Sequence, residues 1–266
     1  MKLQVQGREA YAYTGGKPFD RALPCVVFIH GASHDHSGWT LLARWFAHHG
    51  HGVLAVDLPG HMRSAGPLLP DVEALAGWIW ALLDAAGVER AALVGHSMGS
   101  LIALQAAALA PDRTTHLALI SASYPMKVSD ALLATAREAP QRAMAMVNAW
   151  SIGTHASKPG YPGPGNWLHG SNLALMLLVQ AGTPEANVFL HDFDTCNRYA
   201  GGLEAAARVT CPVTMILGRA DQMTPPRAAR DITAALKARV VDISSGHLQP
   251  AEAPDATLAA LRAALT

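Results

Sequence analysis

Residues 91–103, Ala91-Ala92-Leu93-Val94-Gly95-His96-Ser97-Met98-Gly99-Ser100-Leu101-Ile102-Ala103, read as a buried strand, a sharp turn and a helix in immediate succession. The run 91–94 is uncharged and branched enough for a strand, and 98–109 has the length of a helix. Between them stands Gly95-His96-Ser97-Met98-Gly99, with a serine at the tightest point and a glycine two residues to either side. Such a turn lifts the hydroxyl off the strand end to the start of a helix, where the N-terminal dipole favours developing negative charge. Ser97 is therefore the candidate nucleophile.

Short runs rich in branched residues recur at 25–29, 53–56, 117–120, 213–217 and 240–243, uncharged except for Asp242. Continuous apolarity means that both faces of a strand are covered, which is the condition of a parallel sheet between helical layers. Helix-like segments at 39–49, 72–86, 226–236 and 254–264 alternate with these runs. The alternation predicts an α/β fold with a doubly wound, mostly parallel sheet, whose carboxyl ends carry ligands along one edge. Residues 3–6 and 10–14 read as an antiparallel hairpin ahead of it. From 123 to 203 no buried strand appears, only helical pieces around the proline- and glycine-rich stretch 158–165. Too long for a loop, this segment is expected to be a helical cap inserted into a core made of 1–122 and 204–266.

A serine hydroxyl is a weak nucleophile at neutral pH and needs a base, and the base needs an orienting acid. Residues 241–247 run from a strand into a small-residue loop ending on His247, the expected general base. Residues 214–221 end another strand on Asp221, the expected orienting acid. Asp221 also has the reading of a helix cap, and His247 that of a solvated loop histidine. The chain order Ser97, Asp221, His247 favours the catalytic reading.

Together these landmarks resemble the α/β-hydrolase superfamily, in particular its small intracellular serine esterases and C–C hydrolase-like members. The resemblance runs over nearly the whole chain: His30-Gly31-Ala32, Asp57-Leu58-Pro59-Gly60-His61, the Ser97 turn, and the Asp221 and His247 loops. It implies that the backbone N–H groups of Ala32 and Met98 form the oxyanion hole. It also implies a structural turn at 57–64, where Met62 occupies a position usually held by glycine. The expected reaction is cleavage of a small-molecule carboxylic ester through an acyl-enzyme on Ser97. C–C bond hydrolysis, cofactor-free perhydrolysis and noncatalytic binding are the alternatives. Relatives that open epoxides or displace halide attack with a carboxylate, and residue 97 is not Asp.

His34-Asp35-His36 is the best metal candidate in the chain, but it lacks a clear third and fourth ligand, so no metal and no cofactor are expected. His34, Trp150, Trp167 and Cys196 are expected to line the substrate pocket. Cys196 has no adjacent base that would make it a second nucleophile. Among 266 residues, 20 basic and 20 acidic side chains cancel, so no net field attracts nucleic acid or an anionic membrane. A small neutral molecule is the expected partner. Half the residues are hydrophobic and 15% charged, as in a compact globular chain. Three scattered cysteines, a polar start and no apolar run of membrane-spanning length predict a cytoplasmic protein.

Overall fold

The computed structural model describes residues 1–153 and 167–265. The stretch 158–165 lies outside the described residues. Eight strands form one sheet: β1 (Lys2–Val5), β2 (Arg8–Tyr13), β3 (Cys25–Ile29), β4 (Gly52–Val56), β5 (Ala91–His96), β6 (Thr114–Ile120), β7 (Val213–Gly218) and β8 (Arg239–Ile243). Their spatial order is β1-β2-β4-β3-β5-β6-β7-β8. β3 to β8 run parallel, while the β1–β2 hairpin and its join to β4 are antiparallel. The fold is the doubly wound α/β sheet that the strand and helix rhythm predicts.

Strand geometry explains the two helical layers. Side chains alternate across a strand, so Val27 and Ile29 of β3 enter one core while Val26 and Phe28 enter the other. The first core packs under α2 (Val72–Ala85) and α3 (Met98–Leu109), the second under α1 (Thr40–His48) and α11 (Pro254–Leu265). Each fully buried Val, Ile or Phe side chain contributes roughly 1.5–3 kcal/mol. An apolar run such as Cys25–Ile29, buried throughout, therefore stays put in the middle of the sheet.

β8 departs from expectation. It reads as a central strand, but it pairs only with β7 and stands at the sheet edge, with Val240 45% exposed. Residues 226–236 also divide, into a 3-10 turn (Pro226–Ala229) and α9 (Arg230–Ala235).

Between β6 and β7 lie α4 (Asp130–Glu138), α5 (Pro140–Ser151), α6 (Leu168–Gly182), α7 (Val188–Arg198) and α8 (Gly202–Arg208). α4 to α7 share a separate small core around Met144, Met176, Phe189 and Phe193. α8 instead packs on α3 and contributes Ala205 and Ala206 to the sheet core. The boundary expected at 203/204 thus falls inside α8, which sits with the sheet layer. A short helix, α10 (Gln249–Glu252), precedes α11. No helix among the described residues is long and apolar enough to cross a membrane.

Candidate active site

Parallel strands end on a common edge, and here the ends of β3, β5, β6, β7 and β8 deliver Gly31, Ser97, Ser121, Asp221 and His247 to it. Ser97 adopts φ 54°, ψ −119° at the N-terminus of α3, a left-handed backbone that a non-glycine residue adopts at a cost of about 1–3 kcal/mol. Surrounding contacts hold it there. Its N–H donates to the Ile120 carbonyl (2.9 Å) and its carbonyl accepts from the Ser100 N–H (2.8 Å) and Oγ (2.5 Å). The flanking glycines are required for space: a Cβ on Gly95 would lie 2.1 Å from the Gly99 carbonyl oxygen, and one on Gly99 would lie 2.2 Å from that of Ile29.

His247 Nδ1 lies 2.9 Å from Asp221 Oδ2. Both residues are buried. The aspartate serves two purposes, one per oxygen. Oδ1 accepts from the Met223 and Thr224 amides (2.9 and 2.8 Å), as a loop cap would. Oδ2 accepts from His247, from Ser121 Oγ (2.8 Å) and from Thr224 Oγ1 (2.7 Å). Burial alone would raise the Asp221 pKa, but the His247 charge and the hydrogen bonds from His247 and Thr224 outweigh it. The carboxyl is held well below the usual carboxylate range.

Three side chains absent from the sequence reading fix this pair. Ser121, φ 50°, and Gln249 are fully buried beside it. Hydrogen-bonding demand orients the Gln249 amide so that its nitrogen donates to the His247 carbonyl (2.5 Å) and Ser121 Oγ (2.7 Å), while its oxygen accepts from the Gly218 N–H (2.8 Å). His96, between Gly95 and Ser97, reaches the same carbonyl through Nε2 (2.8 Å). Burial, then the neighbouring His247, pushes its pKa down to about 3, so His96 is a neutral donor tying the serine turn to the histidine loop. Ser121 ends β6 at the same edge as the others, which is the signal that could have found it.

Ser97 and His247 share the wall of one cavity of about 190 Å³ with Trp150, Phe193, Cys196 and Met223. Ser97 is 9% exposed. No hydrogen bond closes between its hydroxyl and His247 among the described residues, and His247 Nε2 has no protein partner there. Of the expected pocket residues, Trp150 and Cys196 stand in this wall. His34 lines a neighbouring cavity of about 240 Å³ with Gly31, Trp39, His96, Asn172 and Leu248. Trp167 lines neither cavity among the described residues: it begins α6, 59% exposed, with its ring against Gly170. Burial first, and then the Asp192 charge, raise the Cys196 thiol far above its ordinary pKa, so it packs as a neutral thiol.

Upstream, Ala32 follows Gly31 in a turn whose next residue, Ser33, has φ 55°. A Cβ on Gly31 would meet the His96 ring at 2.9 Å and the Ser97 Cβ at 3.2 Å, so this turn lies directly against the serine turn. The Ala32 N–H donates to no protein acceptor among the described residues. Met98 opens α3, where the first amides have no partner inside the helix.

The run His34-Asp35-His36 does not converge as a ligand set. His34 turns toward Ala32 and Asn172, while Asp35, His36 and Asp57 bring candidate ligand atoms within 4.8 Å of one another. Protein donors already occupy those carboxylates. Asp57 accepts from the His36 N–H (2.9 Å), His36 Nδ1 (2.7 Å) and the Arg63 N–H (3.2 Å), and Asp35 accepts from the Ser37 N–H (2.8 Å) and Oγ (2.5 Å). These bonds tie the 35–37 turn to the 57–64 turn. Met62, at the family's glycine position, takes φ 43° and so keeps the left-handed turn.

Residues 24–151 match the family described as the alpha/beta hydrolase fold. With the sheet order, this shows that the chain has the α/β-hydrolase fold and resembles that family over the matched segment. It is 37% identical over 126 residues to the dihydrolipoyllysine-residue acetyltransferase component of the acetoin cleaving system of Cupriavidus necator, covering 47% of this chain and 31% of that protein. It is 30% identical over 125 residues to epoxide hydrolase B of Mycobacterium tuberculosis, covering 46% of this chain and 35% of that protein. The chain spans about a third of the length of these curated relatives. Among solved structures, it superposes with TM-score 0.82 on Est816, described as an N-acyl homoserine lactone degrading enzyme, at 22% identity and 99% coverage of both chains. That likeness concerns the α/β-hydrolase fold.

Proposed function

We propose that the chain is a serine hydrolase that cleaves a carboxylic ester of a small molecule. The observation that carries the reading is the strained turn presenting Ser97 to a cavity whose wall also holds His247, itself hydrogen-bonded to Asp221. His247 Nε2 takes the hydroxyl proton as Ser97 Oγ attacks the ester carbonyl. Asp221 holds the imidazole through Nδ1 and stabilises the imidazolium that forms. The Ala32 and Met98 amides receive the oxyanion, and each such donor is worth on the order of 100-fold or more in rate. The imidazolium then protonates the leaving alkoxide, and the alcohol departs. Water, deprotonated by the same histidine, attacks the acyl-enzyme and releases the acid, returning the proton to Ser97.

The epoxide hydrolase likeness does not transfer its chemistry, since a serine at 97 cannot form the carboxylate ester through which those relatives act. Hydrolysis of a short-chain p-nitrophenyl ester, together with labelling by a fluorophosphonate probe, tests the proposal. Turnover lost in both Ser97→Ala and His247→Ala, with label on Ser97 in the parent, is the expected result. Unchanged turnover in Ser97→Ala would end the reading.

A further inference from the structure

A second buried acid–histidine pair joins the helical segment between β6 and β7 to the sheet. Asp192 of α7 lies 2.9 Å from His61 Nε2, and His61 Nδ1 faces the Pro59 carbonyl (3.2 Å). Both side chains are 2% exposed. Each ring nitrogen faces an acceptor, an arrangement that favours the doubly protonated imidazolium. The same Asp192 oxygen accepts the Ser33 N–H at 2.8 Å, across 159 residues of chain.

Ser33 is the residue after Ala32 and holds φ 55°, a conformation that a serine keeps only where its surroundings impose it. Its hydroxyl is buried without a partner, as is that of Thr195 one turn along α7 from Asp192. The polar hold on this residue is therefore the bond from its amide to Asp192. A second thread reaches the same turn. His34 Nδ1 lies 2.7 Å from the Ala32 carbonyl and its Nε2 lies 2.9 Å from Asn172 Oδ1 on α6, and Asn172 donates to Asn148 on α5 (2.9 Å). Side chains from α6 and α7 thus reach residues 33 and 34, with Asn148 of α5 behind Asn172.

We propose that Asp192 is a positioning residue: held by His61, it fixes Ser33 and with it the Ala32 amide, so that seating of α7 on the sheet and assembly of the oxyanion turn are one event. The inference rests on the esterase reading of Ser97 and Ala32. It makes the helical segment part of the machinery for the transition state, beyond any role in shaping the cavity. A turn released from Asp192 frees the 32–33 peptide unit, whose neighbour, the 31–32 unit, carries the Ala32 N–H. The loss falls on transition-state binding more than on substrate binding.

The test uses the full chain with Asp192→Ala and Asp192→Asn. Steady-state hydrolysis of p-nitrophenyl butyrate is read alongside inhibition by phenylboronic acid, which forms a tetrahedral adduct on serine. The expected result is a fall in kcat of roughly 10- to 100-fold in Asp192→Ala, with KM within about twofold, by analogy with a lost or displaced oxyanion donor. Boronate inhibition should weaken in parallel. Asp192→Asn, which keeps an acceptor for Ser33 but loses the charge that holds His61, should lose less than Asp192→Ala but more than about twofold. Asn187→Ala, which removes the cap of the same helix, should lower the melting temperature and leave kcat in place. Should Asp192→Ala fail to fold, Asp192→Asn decides alone. A kcat within twofold of the parent in the folded variants, or a rise in KM at constant kcat, overturns the positioning role. Parental turnover in Ser97→Ala would instead overturn the ester reading beneath it, so the two failures are distinguishable.

Discussion

Two buried aspartate–histidine pairs of the same length sit in this molecule, and their surroundings differ. Asp221–His247 and Asp192–His61 each measure 2.9 Å from imidazole nitrogen to carboxylate oxygen. In the first, Nδ1 is bound and Nε2 has no protein partner among the described residues, beside a cavity that Ser97 also lines. In the second, both nitrogens of His61 are committed to acceptors, and the pair fastens α7 to the turns at 33 and 61. An acid–histidine hydrogen bond thus occurs in two settings. What separates them is whether, among the described residues, one ring nitrogen lacks a protein partner beside Ser97 and an open volume.

The strongest way to break that contrast is substitution at the first pair. Ser97→Ala and His247→Ala should each lower p-nitrophenyl ester turnover by on the order of 10⁴-fold or more, with a melting temperature close to that of the parent. A variant retaining a tenth of the activity would place the chemistry elsewhere. At the second pair the expected order is reversed. His61→Gln leaves Asp192 buried without its counter-charge, which costs about 3–5 kcal/mol. Chemical denaturation should show that loss, and an unchanged midpoint would remove the pair from the fold's supports.

The pH dependence sharpens the same point. Burial pulls the His61 pKa down, but the Asp192 charge and hydrogen bond outweigh it and leave the pKa raised above 6.5. Its stabilisation is fully present below 6.5 and lost as pH rises through the folded value. For Asp192, burial raises the pKa and the His61 charge, followed by hydrogen bonds, drives it well below 3.8. Its stabilisation is present above 3.8 and lost as pH falls through the folded value. The difference in unfolding free energy between parent and His61→Gln should thus be largest between pH 4 and 6.5 and shrink as pH rises above 6.5. A gap that widens with pH would contradict the charged pair.

The smallest effect is expected at the serine turn itself. Ser97→Gly relieves the φ 54° backbone, so the melting temperature should rise by roughly 2–4 °C for about 1 kcal/mol regained, while ester turnover is lost. A fall in melting temperature would mean that the side chain supports the turn.

Much of this architecture was legible along the chain. The runs 25–29 and 98–109 fold as read, because a strand covered on both faces and a helix opened by a tight turn are local statements about apolarity and backbone space. β8 escaped because an edge strand and a central one differ only in what lies beside them, which sequence does not record. Asp221 was open between cap and acid, and in the structure one oxygen takes the bonds of a loop cap while the other takes the bond from His247. Ser121, Gln249 and Asp192 were not legible, since their partners stand 100, 128 and 159 residues away.

Sequence by itself determined the strand and helix rhythm, the turn at Ser97 and the chain order of Ser97, Asp221 and His247, because hydrophobic period and glycine placement act over neighbours. Tertiary structure alone decided which histidine has a ring nitrogen without a protein partner among the described residues, which cavity Ser97 opens into, and that His34 lines the neighbouring one. Those outcomes depend on which surfaces the helices between β6 and β7 bury against the sheet. Burial brings distant charges within hydrogen-bond reach, and no local pattern encodes that.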